Sequence, residues 1–223
     1  RGSSDLRPFS TYKLTGTYAL NRKYTLTLFY EDMKDYFTQS IYQSSERLAL
    51  IFQTRNWNFN RQFGFVVNAP FQVSSWFDTQ ISALGLRMHQ KCDDYFDIPF
   101  DRSKWLYQIS MDNTITASKH LSFELNGMYT SPLIQGTYDL TCFMRVDVAA
   151  KWRFLNDKCN ITARLNDMFN TGLPTTKVNY VNQKFDMNTT YYLRSFTLSF
   201  SYRFGGYKEK EHKDIDTSRF GHN

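Results

Sequence analysis

Residues 195–204 read Ser-Phe-Thr-Leu-Ser-Phe-Ser-Tyr-Arg-Phe, so every second side chain is apolar. Successive side chains of a strand point to opposite faces, which gives this stretch one aromatic, apolar face and one polar face. A strand of a soluble sandwich also alternates, but its apolar face packs on a second sheet of complementary pattern. Here the alternation recurs in almost every segment, with aromatic residues concentrated at segment ends. This pattern is typical of an outer-membrane β-barrel.

The composition agrees with strands that have one face in contact with water. Aromatic residues make up 17% of the chain, yet the mean hydropathy is −0.53. No run of about 18 apolar residues occurs, so the sequence predicts no transmembrane helix. A closed barrel is then the spanning structure that satisfies its own backbone hydrogen bonds.

Charge and cysteine usage argue against several other classes of protein. The net charge is +6, but the basic residues are dispersed singly through the strands, which argues against a nucleic-acid partner. Cys92, Cys142 and Cys159 form no CxxC pair, and we expect no metal site, cofactor or disulfide framework. No strand offers a serine beside a histidine, as an outer-membrane hydrolase would need, so we expect no enzyme.

The alternation predicts nine antiparallel, up-and-down strands. Their predicted ranges are 9–20, 24–37, 48–71, 76–88, 105–116, 121–132, 140–154, 159–169 and 196–204. In the third strand the apolar parity changes, so a single strand there needs a bulge or a short loop near 56–61. In the fourth, Ile81 and Ala83 compete with Leu84, Leu86 and Met88 for the apolar face, and the pattern does not assign the faces.

The predicted connections are of two kinds. Tight turns fall at 21–23, 72–75, 117–120 and 155–158, and long loops at 90–103, 131–139 and 170–190. Bacterial barrels have short periplasmic turns, long extracellular loops and an even number of strands. Because nine is odd, we expect an all-β, antiparallel up-and-down transmembrane barrel of which residues 1–205 form an incomplete wall. The N-terminal residues lack the apolar stretch of a signal peptide, so either the signal has been cleaved or upstream sequence is missing.

Three stretches resemble TonB-dependent outer-membrane receptors. Residues 2–8, Gly-Ser-Ser-Asp-Leu-Arg-Pro, are similar to the G-N-P-x-L-x-P stretch before a descending strand of these receptors. Residues 164–171, Arg-Leu-Asn-Asp-Met-Phe-Asn-Thr, resemble their penultimate-strand pattern N-D-x-F-N. Residues 198–205 resemble the terminal strand that the barrel-assembly machinery reads. The match is closest to the outer-membrane β-barrel family whose members carry a plug and a carboxypeptidase-like domain ahead of the barrel.

The resemblance implies nutrient uptake. It implies a plugged barrel of about 22 strands in the Gram-negative outer membrane, energised through a TonB complex that contacts upstream regions. The cargo would be a scarce nutrient such as a metal chelate, a glycan or a peptide. Two alternatives remain: a self-contained small barrel serving as passive pore, adhesin or structural protein, and a soluble all-β binding module. The charged tail at 206–223 is predicted to be a disordered periplasmic extension.

The candidate functional side chains lie on the predicted polar face of the strands and in the terminal strand. The charged residues predicted to face the lumen are Asp112, Glu124, Arg145, Asp147, Lys151, Arg153, Arg164 and Arg203. They could line a ligand path or dock a plug, but a water-filled lumen is polar whatever it transports. The predicted assembly-signal strand carries Phe196, Leu198, Phe200, Tyr202 and Phe204.

Finer expectations follow from the predicted register. A tight turn at 155–158 sets residue 147 opposite 166, which predicts an ion pair between Asp147 and Arg164 on the lumen face. Arginine at the lipid-facing Val148 should cost about 2 to 4 kcal/mol, whereas arginine at Ala149 should be tolerated. Six aromatic residues near the loops are predicted to be interface anchors or, alternatively, rings that stack on a ligand: Tyr36, Phe37, Trp57, Tyr95, Phe96 and Trp105.

Overall fold

The computed structural model describes residues 6–44, 46, 49–181, 183–187 and 192–204. These residues contain fifteen strands and no helix: β1 Ser10–Leu20, β2 Tyr24–Lys34, β3 Phe37–Gln43, β4 Leu50–Asn56, β5 Phe59–Gln72, β6 Phe77–Tyr95, β7 Ile98–Thr116, β8 Leu121–Thr130, β9 Leu133–Gln135, β10 Tyr138–Leu140, β11 Phe143–Phe154, β12 Cys159–Asn166, β13 Thr176–Tyr180, β14 Gln183–Met187 and β15 Ser195–Tyr202. Within the described part of the chain, no helix has the length and hydropathy that crossing a membrane requires.

Nine long strands form one antiparallel sheet. Their order is β1-β2-β5-β6-β7-β8-β11-β12-β15, so each pairs with the next long strand along the chain. This confirms the predicted up-and-down wall of about nine strands. The two outer strands, β1 and β15, are edges of the sheet and do not pair with each other. The wall is therefore open, as expected for an incomplete barrel.

The register gives the sheet one continuous apolar face. Directly paired residues of antiparallel strands lie on the same face, and Leu125 pairs with Val148, which pairs with Leu165, which pairs with Phe196. Large apolar side chains on this face are exposed; Leu14 is 72% and Leu198 66% exposed. An apolar surface of this extent is not stable in water and indicates contact with lipid.

The third predicted strand is wrong in its first half. Residues 50–56 form β4, which pairs with β3 in a separate two-stranded sheet, and only β5 belongs to the wall. Leu48, with which the prediction began, lies outside the described residues. The change in the parity of the apolar residues has a physical cause. Strands β3 and β4 form a hairpin beyond the wall, where no lipid-facing surface requires apolar side chains at alternate positions. The chain returns to the nine-stranded sheet at Phe59.

The predicted loop at 90–103 is also wrong. Strands β6 and β7 continue through it and stay paired from Phe77 with Ile115 to Tyr95 with Ile98, with a register shift between Cys92 and Tyr95. Phe96 and Asp97 close this hairpin with φ angles of 52° and 62°, the left-handed conformation that two-residue hairpin turns need. Neither residue is glycine, so the usual turn signal is missing from the sequence.

Pairing resolves the faces of the fourth strand. Ala83 pairs with Val67 and Ile109 on the apolar face, so Leu84, Leu86 and Met88 lie on the polar face. Gly85 shares the apolar face with the ring of Phe65, which lies so close that a Cβ at Gly85 would be 2.4 Å from the ring. A side chain at this position would force the Phe65 ring to move.

The other two long loops contain short strands. Strands β9, β10, β13 and β14 form a four-stranded sheet in the order β14-β13-β10-β9. Leu140, predicted to begin the seventh wall strand, belongs to β10, and the wall strand begins at Phe143. The tail at 206–223 and residues 2–5 of the N-terminal motif lie outside the described residues.

Candidate functional site

The predicted lumen charges lie on the polar face of the wall. Asp112 pairs with Asn126, which pairs with Asp147; Glu124 pairs with Ala149, which pairs with Arg164. Lys151 and Arg153 follow Ala149 at the same parity. Arg203 lies beyond the end of β15 and its backbone N–H donates to the Lys158 carbonyl at 2.8 Å.

Glu124 is the centre of an ion-pair cluster that spans three strands. Its carboxylate accepts from Lys151 and, at 2.7 Å, from Nη2 of Arg164. Arg164 stands two strands away from Glu124, about 10 Å at the usual strand spacing, so its side chain must cross the intervening strand. Ala149 occupies the crossing point and is only 6% exposed. The small side chain of Ala149 therefore leaves room for the Arg164–Glu124 contact.

Asp147 has a different ion-pair partner from the one predicted. Its carboxylate accepts from Nε of Arg145 at 2.9 Å and from the backbone N–H of Asp167 at 2.7 Å. The predicted Asp147–Arg164 pair is replaced because Arg164 reaches Glu124. The polar face thus holds two neighbouring clusters, one around Glu124 and one around Asp147.

The motif at 164–171 has a structural explanation. Asp167 is 1% exposed and has a positive φ of 45°. Its two carboxylate oxygens accept from the backbone N–H groups of Thr171 and Gly172, each at 3.0 Å. The aspartate therefore fixes the turn at the end of β12, and these contacts give it a structural role.

A basic groove lies at the tight-turn end of the polar face. This open groove has a volume of about 850 Å³ and is lined by Thr114, Thr116, Ser122, Lys151, Arg153, Asp157, Lys158, Asn160, Ser201, Tyr202 and Arg203. Four of these residues are cationic and one is acidic. The sequence-based view that basic residues do not cluster is wrong at this place, because the turns and neighbouring strands bring together residues far apart in the chain.

Aromatic rings build a core at the opposite end of the wall. Trp57, Cys92, Tyr95 and Phe100 are each at most 2% exposed, and we call this cluster and the loops around it the loop cap. The ring centroids of Trp57 and Phe100 are 4.7 Å apart, and those of Trp57 and Tyr95 5.9 Å. Trp57 and Tyr95 are therefore core residues, and their prediction as interface anchors is wrong.

Hydrogen bonds join several loops to this core. Nε1 of Trp57 donates to Ser40 at 3.1 Å, and the Tyr95 hydroxyl donates to the Ile41 carbonyl. Arg102 pairs with Asp139 at 2.6 Å. Burial raises the pKa of the Tyr95 hydroxyl above its usual range. The cap is thus an ordered unit built from four segments of the chain.

The predicted assembly strand is exposed on both faces. Phe196, Leu198 and Phe200 are 64–68% exposed on the apolar face, and Phe204 lies beyond β15 with 84% exposure. The rings of Tyr202 and Phe204 make an edge contact at 4.5 Å. Within the described residues, no group of three or more His, Cys, Asp or Glu is placed to hold a metal ion.

Comparison with known proteins gives one match. The model of the outer membrane protein beta-barrel family matches residues 1–202. No curated protein and no solved structure matches the chain.

Proposed function

Because the chain belongs to the outer membrane protein beta-barrel family, we propose that it forms part of the barrel wall of a TonB-dependent receptor that imports a scarce nutrient. Its place is the outer membrane, where the apolar face of the sheet contacts lipid. The protein would act in transport and would not be an enzyme. The barrel-assembly machinery would insert it, and a TonB complex would energise it through upstream regions.

The observation that carries this proposal is the open, nine-stranded sheet. Both β1 and β15 have one unpaired edge. Unsatisfied backbone groups at membrane depth cost several kcal/mol each, so in the membrane both edges need partner strands. Strands from the rest of a larger receptor barrel would supply them, which favours a receptor over a small barrel that is complete in itself.

The polar face supports a lumen that contains water or a folded domain. The Glu124 cluster brings two cations to one carboxylate, and the side chain of Glu124 is 16% exposed. Such clusters are stable where remaining charges meet water or polar partners. The ordered loop cap at the other end offers a rigid extracellular surface, as ligand recognition by a receptor requires.

Uptake with and without energisation tests the proposal. The gene for the full-length protein would be deleted, and growth measured on single sources of metal chelate, glycan or peptide. We expect one nutrient class to fail, and uptake in the complemented strain to stop when the proton-motive force is dissipated while surface binding persists. Uptake that continues without the proton-motive force, together with steady conductance in planar bilayers, would identify a passive pore and overturn the proposal.

A further inference from the structure

The basic groove at the tight-turn end holds more positive charge than its neighbours neutralise. Its cations are Lys151, Arg153, Lys158 and Arg203, and Asp157 is the acidic residue in its lining. Lys151 is paired with Glu124. Arg153 meets Asp157 only at 4.0 Å, and both side chains are at least half exposed. For Lys158 and Arg203, no side-chain ion pair is formed with another described residue.

The distribution of these cations suits an anion that carries several charged groups. Arg203 and Arg153 stand two strand positions apart, about 10 Å, and hydroxyl groups of Thr116, Ser122 and Ser201 lie along the groove. Arginine side chains at this spacing can reach a common point, as Arg164 reaches Glu124, but four cations spread along the groove also offer separate contacts to an anion with several charged groups. A lipid headgroup cannot reach the groove, since it lies on the polar face, opposite the face that contacts lipid.

We propose that this groove binds the acidic part of the chain's own C-terminal tail, residues 209–216, which read Glu-Lys-Glu-His-Lys-Asp-Ile-Asp. This segment carries four carboxylates and two lysines, a net charge of −2 with histidine neutral. It begins six residues after Arg203, which itself lines the groove.

The chain leading into this segment is suited to turning back. Gly205 and Gly206 follow Phe204 directly, and glycine adopts the backbone conformations of a tight reversal without steric cost. By random-coil statistics, six to thirteen residues would span on average about 13 to 20 Å, enough to cross the groove. Tethering also gives the segment an effective concentration in the millimolar range, so weak ionic contacts suffice for binding.

Composition explains why binding would depend on charge. The segment has few apolar side chains with which to build a core of its own. Its carboxylates are then its means of attachment, and attachment should weaken with salt because the Debye length falls to about 3 Å at 1 M. The proposal is independent of the nutrient that the barrel imports.

Photo-crosslinking in the full-length protein tests this inference. A photoreactive phenylalanine analogue replaces Ile215, between Asp214 and Asp216, and adducts are mapped by mass spectrometry in outer-membrane vesicles. We expect adducts on peptides that contain residues 114–122 or 151–160. Their yield should fall about fivefold at 1 M salt and in the double variant Arg153→Glu/Lys158→Glu, the effect of losing roughly 1 kcal/mol of ionic attraction.

A matched control and a rescue make the result specific. Lys104→Glu makes the same change of charge on the polar face, but on the loop side of β7, and should leave the yield unchanged. Reversing the tail with Asp214→Lys/Asp216→Lys should restore adducts in the Arg153→Glu/Lys158→Glu background. The salt series needs no substitution in the groove, so a folding defect cannot mimic it. Adducts on another protein, or a yield indifferent to salt and to charge reversal, would overturn the proposal.

Discussion

Val148 and Ala149 are sequence neighbours on opposite faces of β11, and the structure changes the expectation for the second. Ala149 lies beneath the side chain of Arg164 as it reaches Glu124, and is nearly buried. Arginine at this position would displace that contact and face a like charge, so the tolerance expected from sequence is not supported. Thr114 is the better control, because it is exposed on the polar face and pairs directly with Glu124.

Arginine should therefore be tolerated at Thr114 and not at Val148. Val148→Arg should lower the free energy of unfolding by about 2 to 4 kcal/mol, the cost of a cation facing the middle of the bilayer. Thr114→Arg can pair with Glu124 and should change it by less than about 1 kcal/mol. Denaturant unfolding of the full-length protein in lipid, followed by heat-modifiable migration, measures both. Equal losses would show that the faces are assigned wrongly.

Tyr95 should make the loop cap sensitive to alkaline pH. Burial raises the pKa of its hydroxyl, so the neutral form is favoured in the folded cap. Its contribution to stability is complete below the unfolded pKa of about 10 and is lost as the pH rises through the higher folded pKa. Protease cleavage in the loops should accelerate only above about pH 10. Tyr95→Phe removes the ionisable group, and its cleavage rate should lack this step; a step of the same size in the variant would contradict the assignment.

Among the elements, those that lie in lipid were the predictable ones. Strands β12 and β15 keep strict alternation, and β7 and β8 depart from it at few positions, because one face meets lipid and the other does not. The predicted faces of these strands agree with the register. The errors lie in β4 and in the outer ends of β6 and β7, beyond the membrane. There Trp57 and Tyr95 are placed by the cap core, and contacts between distant segments leave no periodic signal in the sequence.

For the charged site, the sequence predicted the face on which each residue lies but not its ion-pair partner. Alternation placed Glu124, Asp147 and Arg164 on one face, because parity alone decides the face. It did not decide which ion pairs form, since a long arginine side chain can reach partners on more than one strand. The small side chain of Ala149 lets Arg164 reach Glu124, and the turn after β12 brings the Asp167 N–H to Asp147. The basic groove was missed because its residues come from four different stretches of the chain.

The terminal strand should matter for assembly and the tail should not. The apolar side chains of β15 are exposed and its outer edge is unpaired, which suits recognition by strand addition. Phe204→Ala with Tyr202→Ala should lower the outer-membrane level of the full-length protein, whereas deletion of residues 207–223 should leave it nearly unchanged. Quantifying heat-modifiable, membrane-inserted protein decides between them. Insertion lost only on removal of the tail would place the signal elsewhere.

At the scale of the whole molecule, the open sheet predicts that β1 and β15 do not pair with each other to close a barrel. If this chain formed a barrel by itself, β1 would pair with β15 in the membrane, and polar-face residues of the two strands would lie within reach of a disulfide. In a larger barrel the strands of the remaining wall separate them. Thr17 and Thr27 provide a positive control, because these paired residues have hydroxyl oxygens only 3.0 Å apart.

Paired cysteines should therefore distinguish the two architectures. In the full-length protein with Cys142→Ser, we expect Thr17→Cys/Thr27→Cys to form a disulfide under mild oxidation. Thr15→Cys combined in turn with Thr197→Cys, Ser199→Cys or Ser201→Cys should form none, since these three positions sample successive same-face registers. Mobility on non-reducing gels and mass spectrometry report the bonds. A disulfide in any of the three pairs, formed as readily as in the control, would mean that β1 meets β15 directly, and the proposal of a larger receptor barrel would fail with it.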